Sequence, residues 1–431
     1  MANARVTGYT AKTSVTSPDP KTAASLGSQV SIRAYSIDGV YGDMMELRQA
    51  ATKSQAVMTE AKEVKEEDIN ALIGLVRSLL SFRVDAATME EMTFFSQMGT
   101  VTVHSSTVRD FSLFHSGPAK VEGITLNVGG QQMLHIDAIG IESQRFTGLV
   151  TPFLAADAKQ LITDEGIKAF MRDNLDKFSF ATEGMYVTGV RTLMPELGNN
   201  SLGRLSGSMA VSFPEVKLDV QLEDLTVSPE AYASFGAQGQ VLAGIYTKSL
   251  QFSGGLRMIV ANRPDGGTLD LKECRITESN LGGATFAMKL AYTPGLMDMV
   301  SGADNAQTKA ATAEQSSLLL EDKGFGDLGA ALSLVQQGQQ PEANLVKLIR
   351  EQWAQMVRQA KVGDPEGKYA KKTETLAQFA AQSGTLSWNW RPAAPIPLEQ
   401  VGASFSLKDL EVQYTPPAQQ TKAPAQHRKG K

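Results

Sequence analysis

Residues that carry metal or redox chemistry are scarce in this chain of 431 residues, which has one cysteine and four histidines. A single cysteine allows no disulfide within the chain and no zinc site built from several cysteines. Because Cys274 falls in a segment that alternates like a β-strand, we expect its thiol to be buried and inert. The histidines show no metal-ligand spacing such as HExxH. We therefore expect neither a metal site nor a cofactor.

Excess positive charge is also missing, because 41 basic residues face 46 acidic ones and the formal net charge is -5. That balance argues against a nucleic-acid partner. No stretch approaches 18 consecutive apolar residues, so we expect no transmembrane segment. The amino terminus lacks the basic start and the apolar run of a signal peptide. Two locations follow from this, the cytoplasm or, if an export segment has been removed, the periplasm.

Arrangements of catalytic residues are equally hard to find. Ser106, His104 and Asp137 could form a triad, but no GxSxG nucleophile elbow accompanies them. The acidic stretch EDKGFGD, residues 321–327, lacks the ligand spacing of a calcium loop, and we predict a solvated turn there. We expect that the protein is not an enzyme and has no catalytic residues.

The chain does have a long series of segments in which apolar and polar residues alternate. In SFPEVKLDVQLEDLTVSP, residues 212–229, the apolar side chains are Val216, Leu218, Val220 and Leu222. Such alternation indicates antiparallel strands with one packed face and one wet face. We predict an α+β fold, predominantly antiparallel β. Its body is expected to be an elongated, curved sheet or a sandwich or barrel, with a few packing helices and a helical insertion near the C-terminus.

In two places the alternation slips by one residue. Leu222 is followed by Leu225, and Leu271 is followed by Cys274 and Ile276. A slip of one residue sends the later side chains to the opposite face unless the backbone bulges or bends. We therefore predict a bulge or a short bend at each slip.

Composition sets apart a β-rich body, which we predict over residues 1–300. Within it, apolar residues at helical spacing predict helices near residues 66–80 and 164–178. The small and polar residues 301–317 are typical of a linker.

A helical insertion is predicted next, over residues 318–383, with helices over 341–360 and 366–382. Residues 384–414 return to the alternating pattern and are predicted to be closing strands of the β body. Residues 415–431 have almost no apolar side chains, and we predict a disordered basic tail.

The apolar faces of so many strands need cover. Burying one Val or Leu side chain contributes about 1.5–3 kcal/mol, so a wet face would forgo much of a domain's stability. The few predicted helices are not enough to cover the sheet. It either closes on itself or curls around a cavity that an apolar ligand fills. The apolar stripes that we predict to contact such a ligand are Phe286, Met288, Leu290, Trp388 and Trp390.

Two functions therefore remain open. In the first, the protein binds or shields a lipid or another apolar ligand on the concave face of its sheet. In the second, it is a structural scaffold with a closed core and no ligand, and it contacts a protein partner through an edge strand or the basic tail.

Three segments carry a family likeness. They are GGTLDLKECRITESNLGGATFAMKLAYTPG, LLLEDKGFGDLGAALSLVQQGQQPEANLVKLIREQ and LAQFAAQSGTLSWNWRPAAPIPLEQV. Over residues 201–414 the chain resembles a loose group of uncharacterised bacterial envelope proteins and, more distantly, the AsmA-like proteins, although it lacks their amino-terminal anchor. The resemblance implies an exported, non-enzymatic, sheet-rich protein. We therefore expect the periplasm as its location, and a lipid or an envelope protein as its partner.

Overall fold

The computed structural model describes residues 2–15, 26–60, 65–96, 99–194, 198–263, 266–292, 311–360, 367–401 and 406–417. The chain divides into two compact units. Unit 1 consists of residues 1–274 and 289–311, and unit 2 consists of residues 275–288 and 312–431. Antiparallel strands are the main element, and helices accompany them, which confirms the predicted α+β class.

Unit 1 contains an antiparallel sheet in which each long strand pairs with the next long strand of the chain. Some neighbours, such as β10 and β11, are joined by a short hairpin, because antiparallel strands need only a tight turn, and longer connections between other neighbours contain helices. The long strands are β1 (Ala2–Val15), β2 (Leu26–Tyr41), β3 (Arg83–Ser96), β4 (Gly99–Ser112), β6 (Ala119–Val128), β7 (Gln131–Ile141), β9 (Ser179–Met194), β10 (Gly198–Ser212), β11 (Glu215–Val227) and β12 (Leu250–Arg263). The short strands β5 (His115–Ser116) and β8 (Ser143–Arg145) pair with each other.

Helices lie between the strands of unit 1. They are α1 (Met44–Glu60), α2 (Glu66–Ser81), α3 (Thr147–Leu154), α4 (Asp164–Asn174), α5 (Pro229–Tyr232) and α6 (Gly236–Ile245). Helices α2 and α4 are those predicted near residues 66–80 and 164–178. The hydroxyl of Thr163 caps α4 by accepting a hydrogen bond from the Gly166 amide at 3.1 Å.

The helices of unit 1 have an aromatic core of their own. Phe170 and Phe178 are buried, and Phe153 packs against both with ring centroids 5.2 and 5.4 Å away. Ile69 of α2 and Phe213, from the turn between β10 and β11, also contact this cluster. The cluster therefore ties the helices to one end of the strands.

Strands β13 (Gly266–Glu278) and β14 (Gly282–Tyr292) follow in the chain. Unit 2 then contains β15 (Thr312–Asp322), β16 (Gly384–Trp390), β17 (Ile396–Pro397) and β18 (Leu410–Thr415), with β16 paired to β15 and β18. Its helices are α7 (Phe325–Gln336), α8 (Ala343–Ala360) and α9 (Ala370–Ala381). The last two are those predicted from helical spacing.

The boundaries of the predicted linker and helical insertion differ from the structure. Strand β15 occupies the region around residue 317, and its side chains include the buried Ala313. The small residues of this segment are typical of a linker, but small residues also pack closely, and here they form part of a strand. Residues 301–310 and the tail from residue 418 lie outside the described residues.

The predicted solvated turn at residues 321–327 is also different. Asp322 is buried, and its carboxylate accepts hydrogen bonds from the Gly324 and Gly326 amides at 2.9 and 3.1 Å. It also pairs with the buried Arg350 of α8 at 2.7 Å. The turn is therefore the start of α7, held by a buried ion pair.

One row of residues crosses nine strands of unit 1. In each neighbouring pair of strands, the residues on both sides of this row are paired regularly, but the two residues of the row itself do not form a ladder pair. We call this row the crease. Its members are Gly8, Arg33, Glu91, His104, Gly123, Asp137, Gly189, Gly203 and Asp224.

The crease has left-handed backbone conformation in every second strand from β3 to β11. The φ angles are 46° at Glu91, 61° at Gly123, 62° at Gly189 and 54° at Asp224. A left-handed residue departs from the extended backbone of its strand, while the register on the two sides of the row stays the same. The strands therefore bend at corresponding positions along a single line.

The crease also explains the predicted slip at Leu222. The flanking apolar residues are three positions apart, as in Leu222 and Leu225 of β11 or Ile136 and Ile139 of β7. The pairing of β11 with β12 shifts at the same place, which confirms the predicted irregularity. The slip after Leu271 stays a prediction. Because the strands bend at the crease, apolar side chains on both sides of it reach the same face of the sheet.

Replacing Gly189 with alanine is expected to lower the free energy of unfolding by about 1–3 kcal/mol. Its φ of 62° is strained for alanine, and an added Cβ would overlap the Asp137 carboxylate. The matched control is Gly74→Ala in α2, where a Cβ meets nothing within 4 Å. That change is expected to stabilise the protein by about 0.5–1 kcal/mol. Urea unfolding followed by circular dichroism measures both, and equal effects would contradict the strain at the crease.

Candidate apolar-ligand site

One face of the unit 1 sheet is apolar over a wide area. We call it the apolar face, and it contains the side chains on the same side as Val220 and Leu222 of β11. Strand register aligns these side chains in rows that run across the strands. The row on one side of the crease is Ile32, Met92, Val103, Ile124, Ile136, Val190, Leu202, Leu225 and Phe252.

Two more rows lie on the other side of the crease. The nearer row is Tyr35, Met89, Ser106, Val121, Ile139, Val187, Leu205 and Leu222. The farther row is Ile37, Ala87, Val108, Ala119, Ile141, Met185, Gly207, Val220 and Leu256. None of the three rows contains a charged residue.

The side chains of these rows are not packed as a core would be. Val103 is the one residue of the three rows that is buried, with 7% of its surface exposed. Ile139, Met185 and Leu205 expose 38%, 40% and 38%. Soluble proteins rarely leave a continuous apolar area of this size uncovered, and such areas mark binding sites.

The opposite face of the same sheet carries ion pairs. Lys120 and Glu122 of β6 are 2.5 Å apart, and the hydrogen bond from Lys120 lowers the pKa of the Glu122 carboxyl. On β11 and β12, Asp219 accepts a hydrogen bond from Arg257 at 3.1 Å. The side chains of both pairs are exposed to solvent. The two faces of the sheet therefore differ in polarity, and the charged side chains lie on the face opposite the three rows.

A cavity of about 580 Å³ opens on the apolar face. It lies along the nearer and farther rows from β4 to β11, and we call it the trough. Its apolar lining includes Val108, Val121, Ile139, Met185, Leu205 and Val220, and Lys120 and Gln144 are also among the residues that border it. The trough crosses six strands, or five spacings, so it is about 24 Å long at about 4.8 Å per spacing. The two rows are two residues apart along a strand, so they are about 7 Å from each other.

Comparison with known protein families and with curated proteins finds no match for this chain. The likeness to envelope proteins therefore remains a resemblance. Among the helices in the described part of the chain, none has the length and apolar character needed to cross a bilayer.

The five residues predicted to contact a ligand are not among the residues that line the trough. Phe286, Met288 and Leu290 lie on β14 and are half-buried. Trp388 and Trp390 share a face of β16, as predicted, but Trp390 exposes only 3% of its surface. Their role in ligand binding stays a prediction.

Sequence reasoning missed most of the trough, although it singled out Val220. The signal was present in the sequence. In successive strands the alternation slips where two apolar residues are three positions apart and not two. Ile32 and Tyr35, like Leu202 and Leu205, are spaced in this way. Aligning the slips would have placed the strands in register around the crease.

Groups that could perform chemistry are dispersed. Asp137 does not lie with His104 and Ser106 as a triad, since it contacts His135 at 2.8 Å and Arg191 at 3.5 Å. Within the described ranges, no three His, Cys, Asp or Glu side chains are grouped as metal ligands would be. Cys274 is exposed, so the expectation of a buried thiol was wrong. It lies on β13 close to Ile276, which exposes 52% of its surface, so alternation alone did not bury that face.

Proposed function

We propose that the protein binds an apolar ligand, such as the acyl chain of a lipid, on the apolar face of unit 1. The observation that carries this proposal is the trough, a cavity of about 580 Å³ on a sheet face whose three central rows contain no charge. The function is binding or shielding, without catalysis. We place it in the bacterial cell envelope because residues 201–414 resemble envelope proteins.

The energetics of the apolar face support a ligand. Burying a CH₂ group is worth about 0.8 kcal/mol, and the half-buried side chains of the trough offer a surface for many such contacts. A bilayer core is about 30 Å thick, so one acyl chain reaches about 15 Å. The trough, at about 24 Å, is long enough for such a chain to lie along the rows.

The test compares two glutamate substitutions on the same strand. Val220 lines the trough, whereas Thr226 points to the opposite face of β11. Native mass spectrometry of the purified protein is expected to show bound lipid in the wild type and in Thr226→Glu. Val220→Glu is expected to lose most of it, because a carboxylate in the trough would be desolvated by the ligand. Circular dichroism confirms that both variants are folded.

Two results would contradict the proposal. If the wild type purifies without lipid and takes up none from vesicles, the apolar face has no such ligand. The alternative of a scaffold without a ligand would then be favoured. Equal lipid content in both glutamate variants would place the ligand elsewhere in the protein.

A further inference from the structure

Gly207 occupies an unusual place in the trough. It lies on β10 in the farther row, between Met185 of β9 and Val220 of β11. Along its own strand, Leu205 and Met209 are its neighbours on the apolar face. Each of these neighbours has a long or branched side chain. Gly207 therefore leaves a gap in the floor of the trough.

The backbone does not explain why glycine is present at this position. Unlike Gly189, Gly207 has no positive φ angle. A Cβ built there would lie 3.2 Å from the Asp219 carbonyl oxygen and 3.6 Å from the Val220 Cγ2 atom, so alanine would need only a small adjustment. Glycine inside a strand weakens the strand, and it commonly marks a site where a ligand approaches closely.

The gap belongs to a trough that is long and narrow. It spans about 24 Å across the strands, and its two rows are about 7 Å apart. Ala119 of β6 and Ser106 of β4 are the other small residues on the apolar face of the trough. Two neighbouring apolar rows with a gap at Gly207 fit one unbranched chain that lies across the strands. Methyl branches would extend beyond the space between the two rows.

We propose that Gly207 determines which ligand the trough accepts, and that this ligand is a single unbranched acyl chain passing over Gly207. This inference rests on the proposed function and deepens it. A leucine at position 207 would occupy the space of the chain where it crosses β10. Its contacts with the ligand would be lost, while the strand itself would be retained.

The experiment measures binding of radiolabelled hexadecanoate by equilibrium dialysis of the full chain. Gly207→Leu is expected to bind roughly tenfold more weakly than the wild type, as for the loss of about two buried methylene groups. The matched control is Ala210→Leu on the same strand. Ala210 pairs with Ala181 and Lys217 on the opposite face and does not line the trough, so this variant is expected to bind like the wild type.

Phytanate, a methyl-branched chain with the same backbone length, tests the shape of the site. We expect the wild type to bind it more weakly than hexadecanoate. Equal affinity for the two acids would overturn the inference of an unbranched ligand. Equal binding of hexadecanoate by folded Gly207→Leu and by the wild type would overturn the role of Gly207.

Both of those failures leave the proposed function intact, because the wild type still binds hexadecanoate. A wild type that binds neither acid and carries no lipid would instead remove the proposed function. If Gly207→Leu does not fold, Ala119→Leu is measured in its place. Ala119 lies in the same row on β6, so a leucine there also takes up space in the trough. Weaker binding by that variant supports the narrow trough, and unchanged binding overturns it.

Discussion

Replacing Arg350 with leucine is expected to lower the free energy of unfolding of unit 2 by about 3–5 kcal/mol. Arg350 exposes 3% of its surface and Asp322 exposes 6%. Removing the guanidinium leaves the Asp322 carboxylate buried without its countercharge. An unpaired buried charge costs far more than the loss of the pair's own attraction.

The position of Arg350 makes the expected effect large. Besides Asp322, its guanidinium donates to Asp327 at 2.8 Å, to the Ala380 carbonyl at 3.1 Å and to the Phe379 carbonyl at 3.2 Å. These contacts connect α8 with β15, with α7 and with the end of α9. One side chain therefore fixes the arrangement of three helices and a strand.

Tryptophan fluorescence during urea unfolding measures this effect selectively. The chain has three tryptophans, Trp353, Trp388 and Trp390, and all of them belong to unit 2. The control is Arg358→Leu, which breaks an exposed pair with Glu374 at 2.8 Å. Its effect is expected to be much smaller because solvent screens exposed pairs. Similar losses in the two variants would contradict the importance of burial.

A double variant separates the two contributions of the buried pair. Asp322→Leu combined with Arg350→Leu removes both charges and is expected to be less destabilising than Arg350→Leu alone. The remaining loss then reflects the caps on the Gly324 and Gly326 amides, which Asp322 also provides. A double variant as unstable as the single one would show that these caps dominate.

The architecture of the sheet was largely predictable from sequence. Alternation in segments such as Val216–Leu222 reports a strand with two different faces, and this signal is local. The bulge after Leu222 was predictable for the same reason. That nine such irregularities form one row was not predictable, because register depends on which strands pair, and pairing is a property of the folded chain.

The trough and the buried ion pair were harder to predict for a related reason. Met185, Gly207 and Val220 are brought together by strand order, and no local motif connects them. Arg350 lies on a helix whose sequence gives no sign that this one cation is buried. Helix α1 was missed because its many Ala, Thr, Ser and Gln residues form only a weak apolar stripe.

Removing the ligand from the purified protein is expected to lower the free energy of unfolding of unit 1 by about 3–4 kcal/mol. That is the stabilisation given by a ligand that binds only the native state at 100–1,000 times its dissociation constant. We expect a large effect because, under the proposed function, the ligand covers the apolar face. Far-UV circular dichroism during thermal unfolding measures it, before and after extraction on a hydrophobic resin.

Returning hexadecanoate should restore the lost stability in proportion to the logarithm of its free concentration once the site is nearly saturated. Val220→Glu provides the control, because a charge in the trough should remove this dependence while Thr226→Glu keeps it. Stability of the extracted wild type equal to that of the untreated protein would mean that the half-buried rows need no cover. Ile139, Met185 and Leu205 would then be ordinary exposed side chains, and the apolar face would have no role in binding.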